Sequence, residues 1–128
     1  MIIIHGPREA TAISSKLQTI FDDLLGVKAQ YQYTVEVSYV DSQKIKSLNK
    51  QYRQINKSTD VLSFPLYSSI DELPAKDTII GDLVICPEQT GGQHLDLEAC
   101  YIHGILHLLG YDHEKDPKSW QDAEQKIT

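Results

Sequence analysis

Three of the chain's five histidines fall within eleven residues, in the run His103-Gly104-Ile105-Leu106-His107-Leu108-Leu109-Gly110-Tyr111-Asp112-His113. His103 and His107 are four apart, so on a helix their rings leave the same face about one turn apart and can share one metal ion. Gly110 lets the backbone reverse after that helix, which can bring His113 round as a third ligand. Neutral imidazoles suit zinc and neighbouring transition ions, nickel among them, and three protein ligands leave a fourth position for water. This is the donor set of a catalytic rather than a closed structural site, with one ion per chain. Incidental histidines on an ordinary helix would not combine these offsets with a glycine at the turn. Cys100, three residues before His103, could add a thiolate, but a cysteine buried on the helix is the simpler reading. His5 and His94 are given no role.

Charge distribution supplies a second feature. The chain has 128 residues and a formal charge of −6, with 41% hydrophobic and 23% charged residues, the balance of one compact globular domain rather than a disordered or multidomain chain. A negative total argues against a nucleic-acid partner, yet the segment from Ser42 to Ser58 holds Lys44, Lys46, Lys50, Arg53 and Lys57 and no acidic residue. That segment carries +5 and leaves −11 for the remainder, so one face can meet a polyanion while the rest repels it. The longest apolar runs are four or five residues, far short of the roughly 18 to 20 that cross a bilayer. The first residues lack the positive segment and apolar stretch of a secretory signal, which predicts a cytoplasmic protein without a membrane partner. In that setting Cys86 and Cys100 are expected to be reduced thiols.

The elements that must position these residues follow from periodicity. Ile2-Ile3-Ile4 closed by Gly6-Pro7 reads as a strand and a turn. Ile13, Leu17, Ile20, Phe21, Leu24 and Leu25 repeat at helical spacing up to Gly26, a helix with its C-terminal glycine. Tyr31 to Tyr39 alternates apolar and polar residues with period two, a strand with one buried face. A second helix should start at Asp41 or Ser42, burying Ile45, Leu48, Tyr52 and Ile55, with Lys46, Lys50, Arg53 and Lys57 roughly 150° away as a basic stripe. Asp60–Pro65 and Thr78–Cys86 read as two further strands, each ended by proline, with a polar loop from Leu66 to Asp77 between them. Gly91-Gly92 reads as a turn, a helix is expected from about Asp96 to Leu109, and a last short helix after Asp116-Pro117. The order predicts a single α+β domain, 1–128, with one mixed sheet of about four strands and about four helices.

The segment His103 to His113, HGILHLLGYDH, resembles the signature of the bacterial YbeY family of metal-dependent endoribonucleases. Leu48-Asn49-Lys50-Gln51-Tyr52-Arg53, Thr59-Asp60-Val61-Leu62-Ser63-Phe64-Pro65 and Gly81-Asp82-Leu83-Val84-Ile85-Cys86 are similar to further blocks of that family, in the same order. The resemblance implies a zinc-type site on His103, His107 and His113 and an active-site arginine at Arg53. It also implies cleavage of single-stranded ribosomal RNA, at the 3′ end of 16S rRNA, with the small ribosomal subunit and its proteins as partners and no DNA substrate. Ser58 stands where the family commonly has proline, which should loosen the approach to the third strand.

The histidine spacing is also that of metzincin peptidases, but Gly104 replaces the glutamate that serves them as general base. Water at a three-histidine zinc site can have its pKa lowered toward about 7, and either that water or a ribose 2′-OH would attack phosphorus. Charge then builds on the non-bridging oxygens, which a guanidinium holds bidentately. Arg53 is the one arginine of the stripe. Asp82 and Asp112 could orient a ligand imidazole or simply cap local turns. A zincin-like metallopeptidase and a non-catalytic ribosome-assembly factor with a structural metal remain alternatives at this point.

Overall fold

The computed structural model describes residues 1–7, 15–90 and 96–127. Its elements run in the expected order: β1 (Ile2–His5), α1 (Ser15–Leu25), β2 (Tyr33–Tyr39), α2 (Ser42–Arg53), β3 (Val61–Pro65), β4 (Thr78–Ile85), α3 (Leu97–Leu108) and α4 (Pro117–Ile127). Ile13, His94 and the turn expected at Gly91-Gly92 lie outside the described residues. The single mixed sheet has the order β1-β2-β4-β3, with β1, β2 and β4 parallel and β3 antiparallel to β4 at the edge. No helix among the described residues is long and apolar enough to cross a membrane.

One face of the sheet carries the main core. Tyr33, Val35 and Val37 of β2 point into it at period two, and α1 covers them with Leu17, Phe21 and Leu25, spaced at i, i+4 and i+8. β2 begins at Tyr33, not Tyr31, because Gly26 turns the chain at φ 62° into a tight helical turn, Gly26–Gln30, that ends at the strand. Lys28 in this turn donates to the carbonyls of Ile70, Asp71 and Leu73 at 2.8, 2.8 and 2.9 Å, pinning the loop between β3 and β4.

α3 lies over β4 on the same face and is apolar nearly all round, with Cys100, Tyr101, Gly104, Ile105, Leu106 and Leu108 buried. Its N-cap is Asp96, whose carboxylate accepts from the Ala99 amide at 2.8 Å. Two glycines let it sit close. A Cβ on Gly81 of β4 would lie 2.6 Å from Leu108 Cδ2 and 2.7 Å from the Phe64 carbonyl oxygen, and one on Gly104 would lie 2.5 Å from Leu83 Cδ2.

Among the described residues, the opposite face is covered at the β3–β4 end, by α2, through a small cluster of Ile45, Leu62 and Cys86. The stripe expected on α2 is therefore only partly buried. Ile45 is enclosed and Leu48 half-buried, but Tyr52 and Ile55 are 60% and 40% exposed, while Asn49 is buried instead. The helix stops at Arg53 because Gln54 takes φ 61°, which puts Ile55 and Lys57 beyond it. Asn49 Nδ2 donates to the Lys57 carbonyl at 3.0 Å and holds that segment back against the helix. Ser58, expected to loosen the approach to β3, ties it down: its hydroxyl donates to the Ser42 carbonyl at 3.1 Å.

Cys86 and Cys100 are buried thiols in clusters on opposite faces of the sheet, in line with the expected reduced state. Gly81→Ala should expose how tightly α3 and β3 close on β4, because its methyl would meet a backbone carbonyl that cannot swing aside. A destabilisation of about 1–3 kcal/mol is expected, read as a lower urea midpoint with unchanged slope.

Candidate metal centre

Each histidine owes its place to a different local cause. His103 and His107 project from a strip of α3 that faces away from the sheet, and both are half-buried. The chain then reverses at Gly110, φ 96°, passing so close to the pinned loop that a Cβ there would lie 2.6 Å from the Ser68 carbonyl oxygen. Asp112 shapes the next turn by accepting from the amides of Glu114 and Lys115 at 2.8 and 3.3 Å, and this turn carries His113. Asp116 accepts from the Ser119 amide at 3.1 Å to start α4 at Pro117.

The three rings converge. His103 Nε2 and His107 Nε2 are 3.2 Å apart, and one nitrogen from each of the three histidines lies within 4.8 Å of the others. Bonds of about 2.0–2.1 Å to a tetrahedral zinc would set ligand nitrogens roughly 3.3 Å apart, so the α3 pair already has that spacing and His113 needs only a small inward movement. Trp120, 6% exposed, backs the cluster, with its ring centroid 4.9, 5.0 and 5.2 Å from those of His103, His107 and His113. Its indole N–H donates to Glu124 at 2.8 Å.

Electrostatics keeps the donors available. Burial pushes the His103 pKa down from 6.5 to about 4, helped by its histidine neighbours and only partly opposed by Asp60 and Glu124. His107 is also lowered, chiefly by burial and further by His113 and Arg53, with Asp112 and Glu114 opposing. Neutral imidazoles with converging lone pairs fit a borderline-soft divalent ion.

The cluster lines a cleft of about 510 Å³ whose other walls include Ser63, Pro65, Tyr67, Asp112, Lys115 and Arg53. Arg53 comes from the last residue of α2, on the far side of β3, and among the described residues it has no ion-pair partner. The structure thus brings one member of the basic stripe to the histidines and leaves Lys46, Lys50 and Lys57 outside the cleft.

Of the three other candidates, Asp112 lines the cleft and two fall elsewhere. Asp82 alternates with Leu83 along β4, and Leu83 meets α3, so Asp82 is exposed on the other face and cannot orient an imidazole. Asp112 caps the His113 turn, and its charge also acts on His107. Cys100 is fully buried in the core, its pKa pushed up to about 12 by burial. Gly104 faces Leu83, so no side chain at that position could supply a base to the cleft. Sequence reasoning missed Trp120 and Lys115. The Asp116-Pro117 helix start, which places Trp120 on the first turn of α4, was the available signal for the former.

A family model described as endoribonuclease YbeY matches residues 5–127. The chain belongs to this family. Among YbeY relatives, the endoribonuclease YbeY of Clostridioides difficile (strain 630) is 30% identical over 142 residues, covering 98% of this chain and 93% of the relative. That of Acholeplasma laidlawii (strain PG-8A) is 38% identical over 129 residues, covering 93% and 86%. The solution structure of TM1509 from Thermotoga maritima superposes with a TM-score of 0.54 at 29% identity, covering 98% of this chain and 85% of that one.

The depressed His103 pKa has a consequence for the metal-free protein. Between pH 6.5 and about 4 an unfolded His103 binds a proton that the folded one refuses, so stability falls as pH drops through that window. Urea unfolding in the presence of chelator should show a declining midpoint over this range, and His103→Gln should flatten part of the decline.

Proposed function

We propose that the protein is a metal-dependent endoribonuclease that cuts single-stranded RNA, with His103, His107 and His113 as ligands of one zinc ion and Arg53 as the catalytic side chain. The observation that carries this reading is the meeting of Arg53 with the three-histidine cluster in one cleft, in a chain of the endoribonuclease YbeY family. Ribosomal RNA is the proposed substrate, at the 3′ end of the 16S molecule in the cytoplasm, with the small ribosomal subunit as partner. Residues 1–128 then form one hydrolase domain.

When bound, zinc, or nickel in its place, supplies Lewis acidity, polarising a phosphoryl oxygen and acidifying water. The remaining work belongs to the chain. Arg53, which lines the cleft and has no ion-pair partner among the described residues, offers two parallel N–H donors to the non-bridging oxygens as they gain charge. Lys115, which also lines the cleft, adds a second positive charge that draws in the phosphate. Lys46, Lys50 and Lys57 extend the positive surface outside the cleft, where neighbouring phosphates of a longer strand would pass. The peptidase alternative finds no support in this geometry, since Gly104 turns away from the cleft and a cationic wall suits a phosphodiester better than an amide.

Arg53→Lys separates transition-state chemistry from attraction. The charge stays, so RNA affinity and metal content should hold near wild type, but one ammonium cannot reproduce the planar fork. Single-turnover cleavage of single-stranded RNA should fall on the order of a hundredfold to a thousandfold. A rate within about threefold of wild type, under roughly 1 kcal/mol, would reduce Arg53 to one more member of the stripe.

A further inference from the structure

The last two residues of α2 serve opposite sides of the edge strand. Arg53 lines the cleft beside Val61, Ser63 and Pro65, whereas Tyr52 rests on Phe64, which belongs with Leu62 to the other face of β3. Since β3 is the outermost strand, both side chains sit at the rim of the sheet. The Tyr52 and Phe64 rings meet edge to face, 5.2 Å between centroids at 75°, so Phe64 fixes the plane of a tyrosine that is still 60% exposed.

The surroundings specify its occupant. Every charged residue from Ser42 to Ser58 is basic, and Tyr52 shares α2 with Lys44, Lys46, Lys50 and Arg53. An oriented π-face on a helix whose charges are all positive, one residue from an arginine in a metal-type cleft, matches the parts of an unpaired nucleotide: base on the ring, phosphate on that arginine. A protein partner would have to bring a dense acidic surface to the same spot. A base inside a duplex has both faces stacked and cannot offer one to the tyrosine.

We propose that Tyr52, backed by Phe64, is a stacking subsite for an unpaired nucleobase of the RNA strand whose phosphate Arg53 engages, and so a source of selectivity for single strands. The inference rests on the endoribonuclease reading and goes beyond it by naming the residue that reads strandedness.

The test uses metal-loaded protein and two 2′-O-methyl oligoribonucleotides of equal length, one with 2-aminopurine among its bases and one abasic throughout. Wild type should bind the base-bearing strand more tightly and quench 2-aminopurine. Tyr52→Ala should lose on the order of tenfold or more on that strand and nothing on the abasic one, while Tyr52→Phe restores both affinity and quenching. Because Tyr52 is largely exposed, metal content and melting temperature should be unchanged, which separates stacking from misfolding. Tyr52→Ala binding the base-bearing strand within about twofold of wild type overturns the subsite and leaves the nuclease reading standing. Wild type binding neither strand overturns both.

Discussion

Everything at the histidine cluster depends on how closely α3 lies against β4. Two reciprocal contacts set that distance: Leu108 of the helix fits over Gly81 of the strand, and Leu83 of the strand fits under Gly104 of the helix. With no Cβ on either glycine, the helix sinks until Cys100, Ile105, Leu106 and Leu108 are fully buried. One strip of its surface faces away from the sheet, and His103 and His107 occupy it. The same contact explains why the position after the first histidine cannot hold an acid. A glutamate at 104 would have to displace the core of the sheet, so any proton carrier must come from other elements.

Those other elements arrive independently, and each is fixed by a polar contact. Lys28 ties down the loop beside Gly110, Asp112 shapes the His113 turn, and Asp116 starts the helix that delivers Trp120. Burial against the indole lowers the affinity of His103 for protons, which costs stability in acid but leaves its lone pair free at neutral pH. Arg53 adds positive charge from across the edge strand, which favours the neutral form of His107, and lines the same cleft. The cluster and the arginine are therefore coupled electrostatically although they sit on elements that share no helix or strand.

What could be read from the sequence was what is local. The offset of four between His103 and His107, the helix start near Asp96 and the Gly110 turn all act within a few residues, and the structure places them as their spacing requires. β2 announced itself because period-two alternation reports one buried face directly. The burial of α2 was misread because four apolar residues at helical spacing do not reveal how much sheet lies beneath them, and only the β3 edge does. Trp120 escaped notice because contact with three rings is made by a turn and a second helix, not by periodicity. Of the two readings left open for Asp82, strand parity removes the one that orients an imidazole, and that parity becomes visible only once Leu83 is known to face α3.

The most direct measurement is the metal content of the purified protein beside a variant with His103, His107 and His113 all replaced by alanine. Elemental analysis should find close to one transition-metal ion per chain in the wild type and essentially none in the variant, with both giving the same far-ultraviolet circular dichroism. Equal metal content in the two proteins would contradict the account, because the ion would then sit somewhere other than the face that α3 leaves open.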